Sequence, residues 1–112
     1  MCIINSKPED KITFEQLIEL AESGNCDAQF LMGVAFANGK LVKKNYKKSF
    51  EWLLKAANQD FPCAQFHVSI AYHEGLGVRK NIREAIKWAE RAAKQGCECA
   101  QNTLQMMELT AA

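Results

Sequence analysis

The sequence predicts an all-α protein in which short helical repeats stack into a solenoid. The frame Trp-x-x-x-Ala-Ala occurs at residues 52–57 and again at residues 88–93. Residues 28–63 also align with residues 64–99 without a gap, and 13 of the 36 positions are identical. A fixed period of this size is typical of repeats whose neighbours share a continuous core. Helix-capping residues recur with the same period, so each copy is predicted to contain helices.

The composition is that of one globular domain. The chain has 112 residues, 48% of them hydrophobic and 24% charged, and its formal net charge is +1. This balance gives no long-range attraction to nucleic acid or to an anionic membrane, so neither partner is expected. We expect an N-terminal tail over residues 1–12 and a single repeat domain over residues 13–110. No secretory signal or membrane-spanning run is apparent, which predicts a cytoplasmic protein.

The first predicted element is a lone helix over residues 13–23. Residues 13–16, Thr-Phe-Glu-Gln, have the pattern of a capping box, and Gly24 follows the last turn. A shift of 36 residues places Phe14 on Phe50 and Ala21 on Ala57. The helix therefore corresponds to the second half of a repeat.

Two complete copies follow, and the first helix of each has a clear beginning or end. In the first copy this helix is predicted over about residues 27–37, with Gly39 at its end, where glycine is favoured. In the second copy Pro62 lies in the first turn, where proline is tolerated, and Gly75 stands at the end.

The second helix of each copy begins after Asn45 or Asn81, both favourable N-cap residues. Trp52 and Trp88 then occur at helical spacing among apolar residues. Tryptophan in such a pattern usually lies in the core. We therefore predict that the two tryptophans occupy equivalent packing positions between helices.

The last predicted element is a lone first helix over residues 99–110, because Ala100-Gln101 repeats Ala64-Gln65. The whole prediction is six helices, arranged as half a repeat, two full repeats and half a repeat. Terminal repeats of solenoids carry polar residues on their outer face. Three polar residues stand where the inner copies have small or aromatic side chains, namely Gln16, Gln105 and Glu108.

The pattern of the copies is similar to a known family. Residues 28–39 read Ala-Gln-Phe-x-x-Gly-x-x-Phe-x-x-Gly, and Val42, Asn45, Trp52 and Ala56-Ala57 follow. This resembles the Sel-one-like repeat (SLR), a relative of the tetratricopeptide repeat. The second copy has Gly75-Leu76-Gly77-Val78 in its loop, whereas the first has Leu41 at the position of Gly77. The resemblance implies a right-handed α-solenoid of helix-turn-helix repeats.

The resemblance also implies a function and a binding surface. Such repeats serve as non-catalytic protein–protein interaction modules, and their first helices line the concave face. The family's contact positions fall on Phe30, Val34, Asn38, Phe66, Ile70, His73, Glu74, Asn102 and Met106, and also on Asp27, Ala37, Cys63, Cys99 and Thr103. An apolar strip with a polar rim would suit an apolar or amphipathic segment of another protein. The alternative is that Phe30 and Phe66 turn inward and complete the core.

A basic run between residues 40 and 48 is a second candidate surface. It contains a basic edge formed by Lys43, Lys44, Lys47 and Lys48. The edge could hold an acidic partner, although runs of this kind are usually solvated loop surface. The N-terminal third is acidic, so the chain is dipolar along its length. This arrangement favours a charged protein partner or head-to-tail self-association over nucleic acid.

No motif for catalysis, a metal or a cofactor is apparent, so none of these is expected. The five cysteines are an odd number, which favours reduced thiols, and Cys97-Glu98-Cys99 is too tight for a Cys-x-x-Cys loop. Some secreted, cysteine-rich members of the SLR family are linked to penicillin binding or β-lactamase activity. An enzyme of that type is therefore the alternative function. Those relatives carry a disulfide within each repeat, a pairing that these cysteines do not match, so no catalytic residue is assigned.

Two uses of an interaction module remain open from the sequence. One is an adaptor or regulator that recruits a client peptide. The other is an immunity protein that covers a cognate toxin, because small free-standing proteins of this family often have such a partner.

Overall fold

In the computed structural model, six α-helices follow one another along residues 13–40 and 42–111, the residues that the structure describes. Side chains are described as far as Met106. The helices are α1 (Phe14–Glu22), α2 (Cys26–Asn38), α3 (Tyr46–Ala57), α4 (Pro62–Glu74), α5 (Ile82–Lys94) and α6 (Glu98–Ala111). No strand occurs in these ranges. The predicted tail over residues 1–12, Leu41 and the side chain of Glu108 lie outside the described part.

The helix ends follow the predicted capping residues. The Thr13 hydroxyl accepts a hydrogen bond from the Gln16 N–H, and the Gln16 side chain accepts one from the Thr13 N–H, which completes the capping box. Asn45 and Asn81 cap α3 and α5 through their side-chain oxygens. Each helix packs against the helix before and after it in sequence, as expected for a repeat stack. The Cα atoms extend over 51 × 30 × 22 Å, so the stack is elongated.

The structure has two buried clusters that are copies of each other. The first core consists of Leu17, Ala21, Ala28 and Met32, and the second core of Phe50, Leu53, Ala56, Ala57, Ala64, Val68, Ala71 and Trp88. The four residues of the first core lie 36 positions before Leu53, Ala57, Ala64 and Val68 of the second. Each core joins the second helix of one repeat to the first helix of the next. The repeat in the sequence is therefore also the repeat of the hydrophobic packing.

The two tryptophans occupy equivalent positions, but their burial differs. Trp88 is 8% exposed within the second core, whereas Trp52 is half-buried at the edge of the first core. A cation lies over each ring, because Lys55 Nζ is 4.4 Å from the Trp52 centroid and Arg91 Cζ is 4.5 Å from that of Trp88. The first core is closed by α1, which has 9 residues, and the second by α3, which has 12. Trp52 thus has less surface to pack against.

Three glutamines, one repeat apart, explain the repeated Ala-Gln pair. The side-chain NH₂ groups of Gln29, Gln65 and Gln101 donate to the carbonyl oxygens of Ala21, Ala57 and Ala93 at 3.0, 3.1 and 3.0 Å. Each bond satisfies a carbonyl at the C-terminal end of the preceding second helix. Gln59 and Gln95 then donate to the side-chain oxygens of Gln29 and Gln65 at 2.8 and 2.9 Å. This glutamine link connects successive repeats.

The replacement of Gly33 by Ser69 in the second copy also has a structural reason. In the first copy the Ser49 hydroxyl on α3 donates to the Gly33 carbonyl oxygen at 2.7 Å. In the second copy the Ser69 hydroxyl on α4 donates to the Ala85 carbonyl oxygen at 2.7 Å. The hydroxyl has moved to the opposite helix, so each pair of helices keeps one buried hydrogen bond.

Candidate functional site

The first helices of the repeats, α2, α4 and α6, carry all of the predicted partner-contact residues. Phe30, Val34, Phe66, Ile70 and His73 are half-buried, and Asn38, Glu74, Asn102 and Met106 are exposed. None is in either core, although Phe30 packs against the edge of the second core. We call this surface the first-helix face. Whether it binds a partner is a prediction that its geometry does not test.

His67 joins the two phenylalanines of this face, and the sequence did not single it out as a contact residue. Its ring centroid lies 5.1 Å from that of Phe30 on α2 and 5.7 Å from that of Phe66, both edge-to-face. Its Nδ1 lies 2.8 Å from the Cys63 carbonyl oxygen, so Nδ1 carries the proton and donates. The corresponding residues in the other copies are Leu31 and Thr103, of which only Thr103 was among the predicted contact positions. Because Leu, His and Thr share no chemistry, the repeat gave no reason to extend that prediction to His67.

Phe30 and Phe66 neither turn fully inward nor project freely. The Phe30 ring contacts Phe61 at a centroid distance of 5.4 Å as well as His67, and it packs on the second core. Phe66 is half-buried and belongs to neither core. The rings therefore lie along the helix surface, where part of each remains available to another molecule.

A pocket of about 70 Å³ opens between α2, α3 and α4. Its lining includes Ala37 of α2, His67 and Ile70 of α4, and four residues of α3. The complete lining is Ala37, Tyr46, Ser49, Phe50, Leu53, His67, Ile70, Ala71 and Leu76. Ala37 and Ile70 were among the predicted contact positions, and the residues from α3 and the loop were not. We call this cavity the interhelical pocket.

The chemistry of the interhelical pocket is apolar. The Ser49 hydroxyl, one of its polar groups, already donates to the Gly33 carbonyl oxygen. An apolar cavity with few polar groups favours an aliphatic or aromatic group over a charged one. The pocket can therefore accept an apolar side chain.

The basic edge lies beside this pocket. Lys43, Lys44, Lys47 and Lys48 are all exposed. The Lys44 ammonium is 5.0 Å from the ring centroid of Tyr46, which lines the pocket. The first turn of α3 has no acidic residue, so the partial positive charge of the helix N-terminus adds to that of the lysines. The interhelical pocket and the basic edge therefore meet at Tyr46.

The described residues contain little other unusual chemistry. In the ranges 13–40 and 42–106, no three His, Cys, Asp or Glu side chains gather as they would around a metal ion. Cys26, Cys63, Cys97 and Cys99 are free thiols, and Cys2 lies outside the described part. Burial, followed by the nearby Glu84 carboxylate, raises the pKa of the Tyr72 phenol above its ordinary 10.0. No described helix combines the length and apolar character needed to cross a bilayer.

Known proteins provide independent comparisons. The model of the Sel1 repeat family matches residues 26–61 and 64–97. The structure of a Sel1 repeat protein from Oxalobacter formigenes is 40% identical, with a TM-score of 0.80 over 81% of this chain and 68% of that one. Helicobacter pylori cysteine rich protein B is 28% identical, with a TM-score of 0.77 over 81% and 68% of the two chains.

A larger protein contains a similar segment. It is c5321, a protective antigen of uropathogenic Escherichia coli strains with an SLR fold, and it is 34% identical with a TM-score of 0.78. The match covers 80% of this chain but 19% of the antigen. Among curated protein sequences, none matches this chain. The comparisons confirm the predicted repeat type and all-α solenoid.

Proposed function

The chain belongs to the Sel1 repeat family, and from this membership and the site geometry we propose that its first-helix face binds an apolar segment of another protein. Sel1 repeat proteins are generally protein-interaction modules. The observation that carries the proposal is the position of Phe66, which is half-buried on the first-helix face yet belongs to neither core. A large ring that the core does not require is suited to contact with a partner.

The surrounding residues have complementary roles in this proposal. Phe30, Phe66 and Ile70 supply apolar area, and Val34 and Met106 extend it along α2 and α6. His73, Glu74 and Asn102 orient the bound segment through polar contacts at the rim. The four lysines of the basic edge steer an acidic partner toward the face, because complementary charges act mainly on the rate of encounter.

The test is binding kinetics with a partner protein captured by the wild-type chain. Burial of one phenylalanine contributes roughly 1.5–3 kcal/mol, so Phe66→Ala should weaken binding about ten- to a hundredfold. The matched control is Phe14→Ala, because Phe14 is also half-buried but lies on α1 beside the first core. Circular dichroism must first establish that both variants fold. If folded Phe66→Ala binds like wild type, the proposal is wrong.

Neutralisation of the basic edge provides a second readout. Lys43, Lys44, Lys47 and Lys48 changed together to Gln should slow association and reduce its salt dependence, with little effect on dissociation. If this variant fails to bind while Phe66→Ala binds normally, the functional surface is the loop edge and not the first-helix face.

We propose two uses for such a module, an adaptor and an immunity protein. An adaptor would bind a client peptide, whereas an immunity protein would cover one toxin. The neighbouring genes distinguish them, because an adjacent toxin or effector gene supports the immunity role. The enzyme alternative has its own test, since hydrolysis of a chromogenic β-lactam by the purified protein would contradict a non-catalytic role.

A further inference from the structure

The interhelical pocket and the basic edge share Tyr46, and we propose that they form one composite site for a partner segment with a bulky apolar side chain beside acidic residues. This inference rests on the proposed function and specifies the chemistry of the partner. The apolar side chain enters the pocket, and the acidic side chains contact the lysines at its rim.

The pocket determines the apolar part of the segment. Its lining includes Ala37 of α2, Ile70 of α4, and Phe50 and Leu53 of the second core. Because Phe50 and Leu53 are fixed by core packing, this part of the lining is preformed. A cavity of about 70 Å³ is of a size to receive part of one side chain and not a small-molecule ligand, which typically needs about 300 Å³ or more.

The charges around the pocket determine the polar part. Between Gly39 and Phe50 the sequence carries five lysines and no acidic residue. Arg79 and Lys80 follow the pocket residue Leu76 in the next loop, and both are exposed. The elements that line the pocket carry three acidic residues, Asp27, Glu51 and Glu74, all exposed and none a lining residue. The rim is therefore net positive, which complements an acidic segment.

Two lysines of the basic edge lie over aromatic rings. Lys44 lies over the Tyr46 ring, and the Lys48 ammonium lies 5.7 Å from the Phe36 ring centroid. A lysine that is already restricted by contact with a ring loses less conformational entropy when it binds a partner. Of the two rings only Tyr46 lines the pocket, so Lys44 presents a restricted cation beside it. This arrangement favours a segment in which the acidic and apolar residues are close in sequence.

The test is selection of displayed random peptides of about 12 residues on the immobilised wild-type protein. The expected result is enrichment of peptides in which Leu, Ile, Met or Phe stands next to two or more Asp or Glu residues. In a synthetic peptide of the enriched sequence, replacing the apolar residue by Ser should weaken binding at least about tenfold. Replacing the acidic residues by their amides should weaken binding and remove most of its salt dependence.

Protein variants assign the two halves of the site. Ala37→Leu fills the pocket and should weaken peptide binding about tenfold or more. Lys44→Gln/Lys47→Gln should reduce affinity and salt dependence. The control Lys87→Gln/Lys94→Gln removes the same charge from α5, which contributes no pocket residue, and should leave binding unchanged. If Ala37→Leu does not fold, the peptide substitutions still decide the result.

Each other outcome contradicts the inference in a recognisable way. If the enriched peptides lack acidic residues but Ala37→Leu weakens their binding, the composite site is wrong and the proposed function is unaffected. If neither Ala37→Leu nor Phe66→Ala weakens the binding of the enriched peptides, both proposals are wrong. A failure to enrich any peptide would also overturn the inference. So would a concentration-dependent dimer that Ala37→Leu abolishes, because the occupant of the pocket would then be a second copy of the chain.

Discussion

At Gly77 the backbone of the second repeat touches the backbone of the first. Its φ is +76°, and a Cβ atom there would overlap the Tyr46 carbonyl group. Gly75 has nearly the same φ, +75°, but its Cβ would meet Lys80 Cβ at an ordinary distance of 3.6 Å. The sequence showed the difference between Gly77 and Leu41 but not its cause, because the contact joins residues in different repeats.

This pair gives the first prediction. Alanine at either position incurs the cost of a left-handed backbone, about 1–2 kcal/mol. Gly77→Ala should reduce the free energy of unfolding by at least about 1 kcal/mol more than Gly75→Ala, because the overlap with Tyr46 is added. Chemical denaturation of the two variants measures the difference, and equal stabilities would contradict the contact.

The tryptophans give the second prediction. Equivalent positions were predicted from the repeat, and the structure confirms them, but Trp88 is a buried member of the second core whereas Trp52 is half-buried at the edge of the first. Trp88→Ala should cost about 3–5 kcal/mol of unfolding free energy, and Trp52→Ala should cost less. If chemical denaturation shows that Trp88→Ala lowers the free energy of unfolding by less than about 1 kcal/mol, Trp88 is not a core residue.

At the scale of elements, the sequence predicted the helices but not the hydrogen bonds that join distant parts of the stack. Local signals such as the Thr13 capping box and the Asn45 and Asn81 caps act within one turn, so the sequence contains them directly. The glutamine link joins Gln59 to Gln29 and Gln95 to Gln65, residues about 30 positions apart. Such bonds depend on how the helices pack, and periodicity alone does not predict them.

The glutamine link gives the third prediction, with a control inside the chain. Gln65 and Gln101 make the same bond to a helix-end carbonyl, but Gln65 is 0% exposed and Gln101 is exposed. Gln65→Ala leaves the Ala57 carbonyl and the Gln95 amide without this partner, and it should cost about 2–3 kcal/mol. Gln101→Ala should cost less than about 1 kcal/mol, since water replaces the bond. Similar losses in thermal or chemical unfolding would refute the role of burial.

At the scale of the whole molecule, the stack was predictable and the candidate site was only partly so. The gapless repeat predicted the all-α solenoid, and the family resemblance predicted the face that carries Phe30, Phe66 and Ile70. The interhelical pocket also needs Tyr46, Phe50 and Leu53 from α3. Their approach to α2 and α4 is a long-range packing distance, which no local pattern encodes. Whether the face binds a partner stays a prediction.

The redox state is the fourth prediction, and it concerns the whole chain. All four described cysteines are free, and the sequence contains five. We expect five reactive thiols per chain after denaturation without reductant, as in a reducing compartment. Thiol titration and non-reducing peptide mapping measure this. An intramolecular disulfide would contradict it and would favour an oxidising location.

The most direct test of partner binding on the first-helix face is site-specific photo-crosslinking. A photoreactive side chain is placed in turn at Leu31 and Asn102, both exposed on the first helices, and at Lys87 and Glu90, both exposed on α5, which contributes no pocket residue. We expect covalent adducts with the same partner from Leu31 and Asn102 and little or none from Lys87 and Glu90. Adducts formed mainly from Lys87 and Glu90 would show that the partner binds the second helices, and the first-helix face would not be the binding surface.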